Sequence, residues 1–181
     1  MASDSPHSPV SPASLAPTLR TLHAARARSA ASRAAAVLQH IERHGTAEQD
    51  STWKAAHAAR VSVQALAVLA ESAPDPAADA RCARNAAAAA AQAAQVGRVH
   101  DGGSGTADAA CRSALKASQA ASAAAGRDAL GRDEALNAAA DEAEADAVAA
   151  AERAGWIRPG QRLPEVPAGL RSPELMAMMH F

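Results

Sequence analysis

Apolar residues along this chain recur at three- and four-residue spacing, the rhythm that stacks side chains on one face of a helix. Leu15, Leu19 and Leu22 fall at i, i+4 and i+7, and Ala30, Ala34, Val37 and Ile41 continue the same kind of seam. A first helix is expected from Ser14 to His44, with Pro17 in its first turn and Gly45 as its stop. A second runs from Ala47 to Ser72 and is closed by Pro74 and Pro76. Its stripe reads Trp53, Ala56, Ala59, Val63, Leu66 and Ala70. Val61 and Val68 widen it, which makes this helix the expected centre of the fold.

The third helix, Pro76 to Val99, carries Cys82, Ala86, Ala89, Ala93 and Val96 on one side. Arg81, Arg84, Asn85, Gln92, Gln95 and Arg98 lie opposite. Asp75 and Asp79 at its start and Arg98 and His100 at its end suit the helix dipole. After the Asp101-Gly102-Gly103-Ser104-Gly105 turn, a fourth helix runs from Thr106 to Ala125 with Cys111, Ala114, Leu115, Ser118 and Ala121 along one side. Gly126 and Gly131 open two tandem Gly-Arg-Asp steps that read as a bend, since each glycine inside a helix costs about 1 kcal/mol. The fifth helix, Arg132 to Ala154, has Leu136, Ala140, Ala143, Ala147, Ala150 and Ala154 as its seam and Gly155 as its C′ stop. Its other face, with Asp133, Glu134, Asp141, Glu142, Glu144, Asp146 and Glu152, is expected to be solvated.

Helices of similar length joined by short turns pack as antiparallel neighbours. The expected fold is therefore all-α, an up-and-down bundle of about four to five alanine-rich helices over residues 15–155. Residues 1–14, with Ser5-Pro6, Ser8-Pro9 and Ser11-Pro12, read as a disordered Ser/Pro-rich tail. From 156 to 181 the prolines and glycines make an irregular segment, in which Ser172-Pro173-Glu174 starts a short terminal helix.

Composition alters this picture in one respect. Alanine fills about 56 positions, while Leu, Ile, Val and Phe together make up roughly 13% of the chain. Alanine has the highest helix propensity and loses no side-chain entropy, so the backbone can be helical over a lean core. A core of methyl groups buries little apolar area, and self-association would add burial. A net charge of −1 and the lack of a basic stripe argue against nucleic acid as a partner. The longest uncharged run, Asn85 to Gly97, is too short for a membrane span, which needs about 20 residues. With no signal-peptide pattern, the cytoplasm is the expected compartment.

Candidate chemistry is sparse. His40 and His44, one helical turn apart, share a face and could ligate a divalent metal, with a third ligand drawn from His57, Glu42 or His23. The competing role of both histidines is to satisfy terminal carbonyls in the last turn of their helix. Cys82 and Cys111 stand about 20 Å apart along the expected hairpin, too far for a disulfide, and are expected as buried free thiols. The glycine turn at 102–105 has no Gly-Lys-Ser/Thr sequel and is no phosphate loop. No Glu-x-x-His occurs to turn the acidic face into a di-metal site. Leu175, Met176, Met178, Met179 and Phe181 form an adaptable apolar cluster suited to docking on a protein partner, or to capping one end of the bundle against Trp53 or Trp156.

No acid, base and nucleophile converge, so the first expectation is a non-enzymatic helical module for protein–protein interaction or homo-oligomerisation. The alternative is a bundle binding a metal or small ligand through His40 and His44. Reversible coating of a lipid or polymer surface is a third class, disfavoured because the helices carry alanine where surface-seeking faces carry Leu, Phe or Trp.

Overall fold

The computed structural model of the chain describes residues 12–45, 49–158 and 160. Helices α1 (Pro12–His44), α2 (Gln49–Glu71), α3 (Pro76–His100), α4 (Gly105–Ala124) and α5 (Glu134–Arg153) form an all-helical up-and-down bundle. Among the described residues there is no strand, and no helix is long and apolar enough to cross a membrane. The expectations for residues 1–11, and for Leu175, Met176, Met178, Met179 and Phe181, fall outside the described residues.

Local chemistry explains where the helices start and stop. Proline has no N–H to leave unsatisfied and its φ is preset for a first turn, so α1 opens at Pro12 rather than Ser14. Pro17 consequently lies in the second turn, beyond the first where it was expected. Asp75 caps α3 by accepting from the Ala77 N–H at 3.0 Å, Ser104 caps α4 through Ala107, and Asp133 caps α5 through Leu136. The bend between α4 and α5 is real. Leu130 and Gly131 take φ of 47° and 70°, and a Cβ on Gly131 would run into the Pro76 carbonyl oxygen.

Helices α1, α3, α4 and α5 make a ring, each touching the next, with α5 returning to α1; α2 lies outside it against α1 and α3. Helices α1, α3 and α5 run one way, α2 and α4 the other. The centre is α3, not α2 as the stripe had suggested. It packs on α1, α2 and α4, and within Ala86–Ala91 all but Ala88 are buried. Alanine around most of α3, leaving a polar stripe through Arg81, Asn85, Gln92 and Gln95 exposed, is what permits neighbours on so many sides. The inner face of α2 is Ala55, Ala58, Ala59, Ser62, Ala65, Leu66 and Leu69, while Trp53 is 59% exposed. The large apolar residue in the second turn of α2 thus marks an outer face.

The core adds one finding and corrects one expectation. Trp156 and Ile157 stand in irregular chain after α5, as expected, yet are buried with the bundle. Glu144, placed on a solvated face, is buried against α1, where it accepts from Arg33 Nη2 at 2.8 Å, Arg33 Nε at 3.2 Å and Ser29 Oγ at 3.0 Å. Asp141 likewise pairs with buried Arg26 at 2.8 Å. Cys82 and Cys111 are free, and burial pushes both thiols up, which keeps them protonated.

Candidate metal centre

Helices α1 and α3 end at the same pole of the bundle, and the chain emerging from α5 reaches it too. Basic residues in a last turn satisfy terminal carbonyls, which is why Arg43 and His44 end α1, and Arg98 and His100 end α3. Parallel packing brings these ends together. The pole therefore collects the negative ends of three helix dipoles, a field that favours a cation.

The side chains at this pole converge. His40 Nε2 meets Asp101 Oδ1 at 2.8 Å, and the Trp156 indole N–H donates to Asp101 Oδ2 at 2.7 Å. His100 sets its ring edge-on to His40, with centroids 5.9 Å apart. One ligand atom each from His40, His100 and Asp101 lies within 4.8 Å of the others. In a tetrahedral zinc site with bonds of ~2.0–2.1 Å, ligand atoms stand about 3.4 Å apart, so modest side-chain rotation closes the set. His40 is buried whereas His100 and Asp101 are half-buried, leaving one side of the group open to an entering ion.

Asp101 owes its position to the end of α3. It is the C-cap residue, with its N–H on the Gly97 carbonyl, and Gly102 and Gly103 follow at φ of 66° and 69°. Those left-handed residues turn the chain back, closing the Gly103 N–H on the Arg98 carbonyl at 2.9 Å. The carboxylate is thereby left facing α1.

Of the residues singled out from sequence, His40 belongs to the group and His44 stands beside it, with ring centroids 4.6 Å apart. The Nδ1 of His44 is engaged with the His40 carbonyl at 3.0 Å, the role expected of a histidine in a last turn. None of the residues suggested as a third ligand reaches this group. His57 stacks on Trp53 with centroids 5.5 Å apart, Glu42 is exposed, and His23 sits at the opposite pole on the Gly131 carbonyl at 3.0 Å. His100 and Asp101 were overlooked because a helix-ending His-Asp-Gly-Gly run reads as cap and turn. Only the parallel pairing of α1 with α3, two elements apart in sequence, gives it a partner.

At the opposite pole lie His23, Asp79, Arg20 and Asn137. Burial pushes the His23 imidazole down and the Asp79 carboxyl up, and the Arg20 guanidinium stands 3.9 Å from Asp79. These side chains hold α1 to α3 and to the α4–α5 bend. Among the described residues, His40, His100 and Asp101 are the one trio of potential ligands that meets. Comparison with protein-family models, curated proteins and solved structures finds no match for this chain.

Proposed function

We propose that this chain is a non-enzymatic helical bundle that binds a divalent transition metal at the shared pole of α1 and α3. The convergence of His40, His100 and Asp101 within 4.8 Å carries this reading. Two imidazoles and one carboxylate suit zinc and its neighbours in the first transition row, in preference to calcium or magnesium, which take oxygen ligands. Isothermal titration of metal-free protein with Zn²⁺ is expected to give one equivalent. His40→Ala or Asp101→Ala abolishes it, while His57→Ala leaves it unchanged. A flat titration of the wild-type chain refutes the proposal.

A second reading, self-association of two copies, is favoured by the outer face of α2 and α3. There Trp53, Val96 and Val99 line a groove, with Trp53 59% and Val99 65% exposed. Asp50 and Lys54 place both signs of charge on the same patch, which makes it self-complementary across a two-fold axis. Light scattering on the eluting protein is expected to give a dimer that Trp53→Ala converts to monomer. A wild-type monomer at all concentrations removes this reading.

A further inference from the structure

Asp101 has two carboxylate oxygens and two partners on different elements: His40 of α1 on Oδ1, and Trp156, beyond α5, on Oδ2. The cap of α3 fixes its backbone, but its side chain is partly exposed and can still turn about its own torsions. Something else must keep Oδ1 turned toward the imidazoles. Trp156 is placed to do so with unusual rigidity. It is 1% exposed, and Gly155 at φ 77° turns the chain so that the Trp156 backbone N–H closes on the Ala151 carbonyl at 3.0 Å. Its ring fills a notch that α3 leaves by having glycine at position 97. A Cβ there would stand 3.1 Å and 3.2 Å from ring atoms Cζ2 and Cε2. Backbone turn, notch and indole hydrogen bond all fix the same side chain.

We infer that Trp156 is a positioning residue of the metal centre, its indole N–H holding Asp101 so that Oδ1 alone is presented to the ion. This rests on the metal-binding reading and adds to it a coupling between metal occupancy and the seating of the chain that follows α5. Outer hydrogen bonds of this kind orient ligands, and their loss typically weakens metal binding by about 10–100-fold. The coupling runs both ways: an ion on Asp101 and His40 fastens the carboxylate on which the indole sits, so metal tightens the seating of Trp156. A buried indole N–H finds an acceptor in most folds for its own sake. The decisive property is therefore metal affinity, not stability alone.

The test uses the full chain. Zinc titrations compare wild type with Trp156→Phe, which keeps an aromatic ring in the notch and deletes the N–H; thermal melts of both metal-free proteins run alongside. In parallel, the two indole N–H resonances of ¹⁵N-labelled wild-type protein are followed through a zinc titration, with Trp53→Phe telling them apart. The expected result is zinc binding about tenfold or more weaker in Trp156→Phe than in wild type, together with a zinc-dependent shift of the Trp156 indole signal at the midpoint of the wild-type isotherm. Equal affinities in the two proteins with an unmoved Trp156 signal overturn the positioning role and leave the metal centre standing. If Trp156→Phe does not fold, the indole signal decides: movement with zinc supports the role, and no movement overturns it. Absence of zinc binding by the wild type removes centre and positioning role together.

Discussion

His23 is fully enclosed, with Nε2 on the Gly131 carbonyl at 3.0 Å and Nδ1 without a partner among the described residues. A carbonyl oxygen only accepts, so Nε2 carries the hydrogen, while burial and the unpartnered Nδ1 disfavour a second one. Burial is the largest influence and pushes its pKa below the usual 6.5; Arg26 adds to this, while the Gly131 bond, Asp79 and Asp141 oppose it. When the pH falls through 6.5, the unfolded chain binds a proton that the folded chain refuses. Stability from His23 is therefore present above 6.5 and lost as the pH falls from there to the lowered native value. Asp79 has the opposite sign: burial raises its carboxyl above 3.8, so its contribution is full below 3.8 and fades as the pH climbs through the raised native value. The readout must therefore be a difference between proteins, not one raw profile. Denaturant unfolding at pH 7.5 and 5.5 is expected to show wild type losing more stability on acidification than His23→Gln, by up to about 1.4 kcal/mol one pH unit below 6.5. Equal losses would mean that His23 titrates as freely in the folded chain as in the unfolded one.

At the scale of elements, local chemistry made most of the fold legible. Proline and aspartate open α3, Gly155 closes α5, and the Gly126–Gly131 tandem bends the chain, all as their φ preferences and capping groups dictate. Those signals act within a few residues and so survive in sequence. Pairing of helices is a non-local property, and here alanine erases the usual cue. In a chain with leucine seams the widest apolar stripe points to the centre. Here that rule favoured α2, while the true centre, α3, declares itself only by having alanine nearly all round. The same blindness concealed His100 and Asp101, which meet His40 only because α3 lies parallel to α1. It also concealed Glu144, since an acid among five others on α5 looks solvated until Arg33 is known to face it.

The closure of the whole molecule depends on that last pair. Around the ring of α1, α3, α4 and α5, three contacts are made largely by alanine methyls. The fourth, between α1 and α5, is spanned by long polar side chains: Arg26 to Asp141 and to the Asn137 carbonyl, and Arg33 to Glu144. Arg33 and Glu144 are enclosed, with side chains 2% and 6% exposed, and the fork of two hydrogen bonds offsets the cost of drying both charges. A lean alanine core has little surplus to absorb a fault there. Glu144→Ala strands a buried guanidinium and is expected to cost about 3–5 kcal/mol, a large share of the roughly 5–15 kcal/mol that holds a domain folded. Replacing both partners together, Arg33→Met with Glu144→Leu, removes the stranded charge and fills the seam with apolar volume, so the double variant should recover most of that loss. Urea unfolding of the two proteins beside wild type checks this. A double variant no more stable than Glu144→Ala would show that the ring is closed by the ion pair itself and not by the volume its side chains fill.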